Sequence, residues 1–412
     1  MPFNLLKRTL GVIINNVSSW VTSPKGTYRL CEPFFWLMGM RGKGREIELS
    51  KVKKVLVMRL DEIGDVVLFT PFLRELRRNL PDAWITLVVK PSVYNLVELC
   101  PYVNEVLTYD WNIQGRFAIE RLHGRALKLA WKHLWRRKFD LAIVPRWDAD
   151  HYHASFVAYL SGAPWRVGYS ENVIEHKSQA NKGYDRLFTH LLDDRTLMHE
   201  VERNLDLLRF IGFTVKDEQL ELWVSREDRA FADEVFRDKK GGLIIGFGPS
   251  GGNSTLKQWP LSNFVELGRW LKTEYNANIL IVGGPGEEGL RLELERELGS
   301  AAINMVGRTT LRQLASLLAN CRFFIGNDTG SLHIAVAKNV PCIALLGPTC
   351  QHRFGPWGKG HIVIQSSMPC SPCSKPQHLD RCGTCLFESP KCIEGITVDQ
   401  VKEAAAAQLK SR

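Results

Sequence analysis

The sequence predicts an α/β protein built of two doubly wound parallel-sheet halves in tandem. Three observations lead there. From Val52 onward, short apolar runs alternate with longer amphipathic segments, as strands and crossover helices do. The alternation breaks at "REDRAFADEVFRDKKGG" (Arg226–Gly242) and then restarts with a new strand. In both halves the strand ends run into glycine, hydroxyl and acidic residues, where open parallel sheets bind ligands. With 412 residues, 45% of them hydrophobic, the chain is long enough for two cores.

The elements follow in order. Residues 1–50 form an extension unlike the rest. Leu6, Leu10, Ile13, Val17 and Trp20 recur on one helical face, with Lys7 and Arg8 nearby. The later run "RLCEPFFWLMGMRGKGR" adds aromatics followed by basic residues. Such a segment suits either a membrane interface or packing on the protein body. The first half, residues 51–225, opens with strand "KVLVMRL" and helix "DVVLFTPFLRELRRNL", whose apolar face is Val66, Phe69, Leu73 and Leu76. Strands "WITLVV", "NEVLTYD" and "FDLAIVP" follow. Between the last two, Arg121, Arg125, Lys128, Lys132 and Arg136 share a helical face opposite Leu127, Trp131 and Leu134. That basic face is either simply solvated or a docking surface for phosphate groups.

The second half, residues 240–365, reads as strand "LIIGFGP", helix 261–273, strand "NILIVGG" and helix 287–298. A short strand near Ile303–Val306, helix 310–319, strand "RFFIGN", helix 331–337 and strand "CIALLG" complete it. Residues 366–412 add a cysteine-rich tail and a last helix, Val398–Gln408, packed on either half. The net charge of +10 favours a polyanionic partner, and 24% charged residues with normal apolar content exclude general disorder. No run of eighteen apolar residues and no secretory-type leader is present, so the expectation is a cytoplasmic protein with reduced thiols.

The loops at the strand ends carry the chemistry. In "FIGNDTGSLHIAVAKNVPCIALLGPT", Thr329, Gly330 and Ser331 open a helix, so backbone N–H and hydroxyl donors face a diphosphate; Asp328 as a plain N-cap is the structural alternative. "GFGPSGGNSTLKQWP" places Ser250, Gly251 and Gly252 ahead of Lys257, without the Gly-Lys-Ser/Thr order of a Walker loop. "VGGPGEE", with Gly283, edges a nucleoside pocket. In the first half, "RLDEIGDVVLFTP" uses Gly64 for a sharp turn and brings Asp65 to the helix start. Asp65 is there either an N-cap or a general base facing the other half.

Taken together these residues resemble glycosyltransferase family 9, the heptosyltransferases of lipopolysaccharide core assembly, which have a GT-B fold of two Rossmann-like domains across a cleft. The matching pieces include "RLDEIGDVVLFTPFLRELRRNLPDAWITLVV", "LSGAPWRVGYS", "HEVERNLDLLRFIGF", "KQWPLSNFVELGRWL", "MVGRTTLRQLASLLANCRFFIGNDTGSLHIAVAKNVPCIALLGPT" and "FGPWG". They are collinear over roughly residues 52–400. The resemblance implies Asp65 as base, Lys257 on the donor phosphates, and Asp328, Thr329 and Gly330 around the diphosphate and sugar. His333 lies nearby, as a site residue or as a core histidine. It also implies an inverting displacement that needs no metal, with ADP-heptose as donor and an anionic lipid-linked saccharide as acceptor. The first half is then the acceptor side, its basic face included, and the second half holds the nucleotide sugar.

Asp61 and Glu62 depart from the small hydroxylated pair expected there and add negative charge beside the acceptor site. The extension before residue 50 lies outside the family core and would hold the enzyme on the cytoplasmic face of the inner membrane. The alternatives are another nucleotide-sugar donor, a nucleotide-sugar epimerase, or a non-catalytic polyanion-binding protein. Nothing in the chain suggests nucleic-acid recognition beyond its charge. Cys370, Cys373, Cys382 and Cys385 form two Cys-x-x-Cys pairs eight residues apart, read as a structural zinc site or as free thiols.

Overall fold

The computed structural model describes residues 17–37, 46–239, 241–252, 254–373 and 385–410. Each half contains a fully parallel six-stranded sheet. The first comprises β1 (Lys54–Arg59), β2 (Trp84–Val89), β3 (Glu105–Thr108), β4 (Leu141–Val144), β5 (Trp165–Tyr169) and β6 (His190–Leu192), ordered β3-β2-β1-β4-β5-β6. The second comprises β7 (Ile244–Gly248), β8 (Asn278–Ile281), β9 (Ala302–Asn304), β10 (Phe323–Asn327), β11 (Cys342–Leu346) and β12 (Ile362–Gln365), ordered β12-β11-β10-β7-β8-β9. Both sheets wind outward in two directions from a central pair, β1/β4 and β7/β10, which leaves a crevice at each switch point. The central strands are apolar on both faces because helices cover both; β10 and β11 are buried throughout.

The helices that position the site and the surface are α1 (Pro24–Leu37), α2 (Ile63–Leu68), α3 (Thr70–Asn79), α4 (Ala118–Leu129), α5 (Glu200–Phe210), α6 (Arg226–Val235), α7 (Leu261–Tyr275), α8 (Leu311–Leu318), α9 (Gly330–Ala337) and α10 (Val398–Lys410). The segment expected as one helix from Asp65 to Leu80 is instead α2 and α3, joined at Phe69. Pro71 sits in the first turn of α3, where a missing N–H costs nothing, but it denies that turn a bond to the helix before it. On α4 the expected apolar face is corrected. His123, Ala126, Ala130 and Leu134 are the buried residues, whereas Leu127 and Trp131 face solvent at 39% and 70% exposure.

α1 packs inward through Tyr28, Cys31 and Phe35, with the Phe35 ring 5.4 Å from that of Tyr159. The expected face of Leu6, Leu10 and Ile13 lies outside the described residues. α10 packs on the second half, against α7 and β12, where Lys402 pairs with Glu266 at 2.7 Å. The halves meet along two seams. α2 lies against α9, and the connecting helix α6 lies against α8, where Arg312 reaches Asp228 of α6 at 2.8 Å and also pairs with Glu98 of the first half.

Candidate active site

The two switch points face each other across a cleft of about 270 Å³. Its walls are Glu62, Ile63, Gly64, Asp65 and Leu68 from the first half, and Gly251, Gly252, Ser254, Lys257, Asp328, Thr329, Gly330, His333 and Phe354 from the second. The approach of α2 to α9 makes this possible and depends on two glycines. A Cβ on Gly64 would stand 2.8 Å from Cδ2 of His333, and one on Gly330 would stand 2.7 Å from Cγ2 of Ile63. Gly64 therefore serves close packing between halves. It lies inside the first turn of α2 rather than in a sharp turn before it.

Asp65 is neither the N-cap of α2 nor a solvated carboxylate. Glu62 is the N-cap, and Asp65 is the third helical residue, accepting from the Glu62 backbone N–H at 3.3 Å in a capping box. Its side chain is 24% exposed, and its Oδ1 lies 3.9 Å from Nη2 of Arg59. Burial pushes its pKa up to about 6, with Glu200 and Asp148 raising it further and Arg59 and Arg353 opposing them.

Behind Asp65 lies a charge network whose members are scattered along the chain. Arg59, 2% exposed at the end of β1, pairs with Asp61 at 2.9 Å and Glu200 at 3.2 Å and donates to the Pro145 carbonyl at 2.8 Å. Arg353, in the short helix Gln351–Phe354 after β11, crosses from the second half and pairs with Asp148 and with Glu200, the latter at 3.4 Å. Burial opposes ionisation of Asp148, but Arg353 and Arg146 outweigh it and hold the pKa at about 2. Beside this bridge His199 donates from Nε2 to the Gly355 carbonyl at 3.0 Å, its Nδ1 accepting from Val201 N–H at 3.2 Å.

These contacts correct the expectation that Asp61 and Glu62 add negative charge to the site. Asp61 is 1% exposed and neutralised by Arg59 and Arg146, while Glu62 pairs with Lys90.

On the opposite wall Asp328 organises the cations. Its Oδ2 takes Lys257 Nζ at 2.6 Å and the Thr349 hydroxyl at 2.7 Å, and its Oδ1 is 3.5 Å from His333 Nε2. Burial acts against its ionisation, but Lys257 and His333 prevail and hold the carboxyl well below the usual range. Asn327, fully buried, ties the loops together. Its amide donates to the Pro249 and Ser250 carbonyls at 3.0 Å each, and its oxygen accepts from Trp259 N–H at 3.1 Å. Thr329 occupies the N-cap position of α9, its hydroxyl turned to that of Ser331 at 2.9 Å rather than to a backbone N–H of the helix.

Ser250, Ser331 and Gly283 are not in the cleft wall. Ser250 bonds Glu287, which also accepts from Gly284 N–H at 2.6 Å, and Gly283 leaves room for that carboxylate. A second cavity of about 490 Å³ adjoins the cleft through Gly251 and Gly252 and is walled by Thr255, Gln258, Leu261, Gly286 and Glu287 among others. Arg121, Arg125, Lys128 and Lys132 line neither cavity.

Cys382 lies outside the described residues. Among the described residues, Cys370 and Cys385 are free thiols, and no group of three or more His, Cys, Asp or Glu is placed to hold a metal.

Sequence reasoning missed Arg59, Glu200, Arg353 and Asn327. The available signal was a charge inside an apolar strand run, "VLVMRL", since a buried guanidinium requires buried partners.

Two parallel six-stranded sheets in this order, with a shared cleft at their switch points, define a GT-B architecture, and solved structures agree. A glycosyltransferase family 9 protein from Veillonella parvula superposes with a TM-score of 0.72 at 23% identity, covering 89% of this chain and 99% of that one. The Escherichia coli ADP-heptose lps heptosyltransferase II gives 0.67 at 22%, covering 86% and 98%. In sequence, residues 127–382 match the family model described as glycosyltransferase family 9 (heptosyltransferase). Lipopolysaccharide heptosyltransferase 2 of Escherichia coli K12 is 27% identical over 307 residues, 72% of this chain and 83% of that protein. The chain belongs to glycosyltransferase family 9 and is a glycosyltransferase.

Proposed function

We propose that the chain transfers heptose from ADP-heptose to a hydroxyl of a lipopolysaccharide core or related lipid-linked saccharide, inverting the anomeric centre. The observation that carries this is the pairing across one cleft of a carboxylate with raised pKa, Asp65, and a wall where Lys257 of the loop after β7 stands beside the N-terminus of α9. Asp65 takes the proton of the acceptor hydroxyl as its oxygen attacks the anomeric carbon. The bond from that carbon to the diphosphate oxygen breaks on the opposite side, so configuration inverts. Charge on the departing diphosphate meets Lys257, the hydroxyl of Thr329 and the backbone N–H of Gly330 at the start of α9. The adjoining cavity takes the nucleoside. The printed names of the Escherichia coli relatives support heptose as the sugar.

The test is a panel of nucleotide sugars in a thermal-shift assay. A ligand bound to the native state at a hundredfold excess over Kd adds about 2.7 kcal/mol of apparent stability. ADP-heptose is expected to raise the melting temperature of the wild type, and Lys257→Ala and Asp328→Ala to lose that rise. Stabilisation by a uridine or guanosine sugar alone would overturn the donor assignment, and no shift with any nucleotide would overturn the site.

A further inference from the structure

We infer that α1 and α4 together form a docking surface for an anionic lipid bilayer. α1 carries Leu30, Phe34 and Leu37 on one stripe at 53%, 41% and 75% exposure, although its other face is packed against Tyr159. α4 and its continuation carry Leu127 and Trp131, exposed at 39% and 70%. The two stripes are continuous: the Phe34 ring lies 5.3 Å from that of Trp135, which lies 5.6 Å from that of Trp131. Scattered apolar residues on a surface need no explanation, but a joined aromatic and aliphatic stripe across two helices does.

The charge beside the stripe names the occupant. Lys128, Lys132 and Arg136 are exposed along the same turns, and residues 121–138 contain no acidic residue. A twofold contact with another copy would set these cations against their own images, whereas anionic headgroups neutralise them while the rings enter the acyl boundary. No helix among the described residues is long and apolar enough to cross a membrane, so the surface lies on the bilayer rather than spanning it. None of these residues lines the cleft, so the inference holds whichever donor the site takes.

The test is co-sedimentation of the full chain with vesicles of phosphatidylglycerol and phosphatidylcholine, set against phosphatidylcholine alone. The wild type is expected to bind the anionic vesicles and to release them as salt rises. Phe34→Glu with Trp131→Glu is expected to weaken binding at least about tenfold, as is Lys128→Glu with Lys132→Glu and Arg136→Glu. The Phe34/Trp131 pair is expected to keep its circular dichroism and its transfer rate to a water-soluble acceptor. Loss of transfer to that acceptor in the wild type would count against the proposed reaction and leave the surface standing. Absence of wild-type binding to anionic vesicles, or binding unchanged in both variants, would overturn the surface. So would a wild-type dimer that Trp131→Glu dissociates.

Discussion

At the scale of single residues, Asp65 holds the most information. A carboxylate that stayed at its solution pKa would be a weak base near neutral pH, and its partial burial against Glu200 and Asp148 corrects this. The same burial has a thermodynamic sign. A carboxyl whose folded pKa lies above its unfolded value contributes stability that is complete below the unfolded pKa and lost as pH rises through about 6. At pH 8 the ionised group is therefore a net cost. Asp65→Asn is expected to lose at least about a hundredfold in kcat while melting no lower than wild type at pH 8, by up to about 2 kcal/mol in its favour. Calorimetry beside a transfer assay checks both, and a large fall in stability would make Asp65 a structural residue. Lys257→Ala has the opposite character. It leaves the 8%-exposed Asp328 carboxylate with Thr349 and His333 among the described residues, so a loss of about 1–3 kcal/mol should appear in urea unfolding together with the loss of donor binding.

At the scale of elements, the contact between α2 and α9 decides whether the two walls meet. Gly64→Ala places a methyl 2.8 Å from His333, so one side must yield. Activity is expected to fall about tenfold or more, because misplacement of about 1 Å between reacting groups is that costly. His333→Ala, by vacating the space, should make the double mutant less impaired than the two single losses multiplied. Strict additivity would show that the two do not touch in the working enzyme. Beneath α4, His123 Nδ1 lies 3.1 Å from His153 Nε2, and burial depresses their pKa values to about 4 and about 3. Histidines depressed when folded bind fewer protons than the unfolded chain, so stability falls as pH drops below about 6.5. Denaturant titrations at pH 7 and pH 5 check the sign, and His123→Asn should flatten the slope.

Much of this level was legible in the sequence, for physical reasons. Strands buried on both faces must be continuous apolar runs, so "WITLVV" and "RFFIGN" mark β2 and β10 to within a residue. The edge strand β6, three residues long and half-buried, has no such signature. The break at Phe69 was signalled by Pro71 and hidden by the apolar face that runs through it. On α4, Leu127 and Trp131 satisfy helical spacing yet point outward, since spacing identifies a face but not what covers it. The loops after β7 and β10 could be read as cleft-lining because glycine and hydroxyl residues there close strands at the carboxyl edge of a parallel sheet, and Gly251, Gly252, Thr329 and Gly330 do line the cleft. The network behind them could not: Arg59 and Glu200 are 141 residues apart, and only the fold joins them.

At the scale of the molecule, two sheets bring their switch points together, and Arg353 helps to hold them. It is 1% exposed, belongs to the second half, and pairs with Asp148 and Glu200 of the first. Removing it takes one cation from Glu200, which keeps Arg59, and one from Asp148, which keeps Arg146, and it withdraws a positive charge that holds the Asp65 pKa down. Arg353→Met is therefore expected to lower stability by about 1–3 kcal/mol and to move the acid limb of the rate profile to higher pH. Calorimetry and a pH series separate these effects from a simple loss of packing, which would move the first and not the second.

In the proposed reaction Asp65 takes the acceptor proton during transfer of heptose from an adenine diphosphate sugar. The most direct measurement is the pH dependence of kcat/KM for ADP-heptose and a lipid-free core acceptor, in wild type and Asp65→Asn. The expected result is a wild-type rate that falls tenfold per unit below about pH 6 and levels above it, with a flat and at least hundredfold lower line for the variant. A variant that keeps the wild-type rate, or the same acid limb in both proteins, would place the base elsewhere.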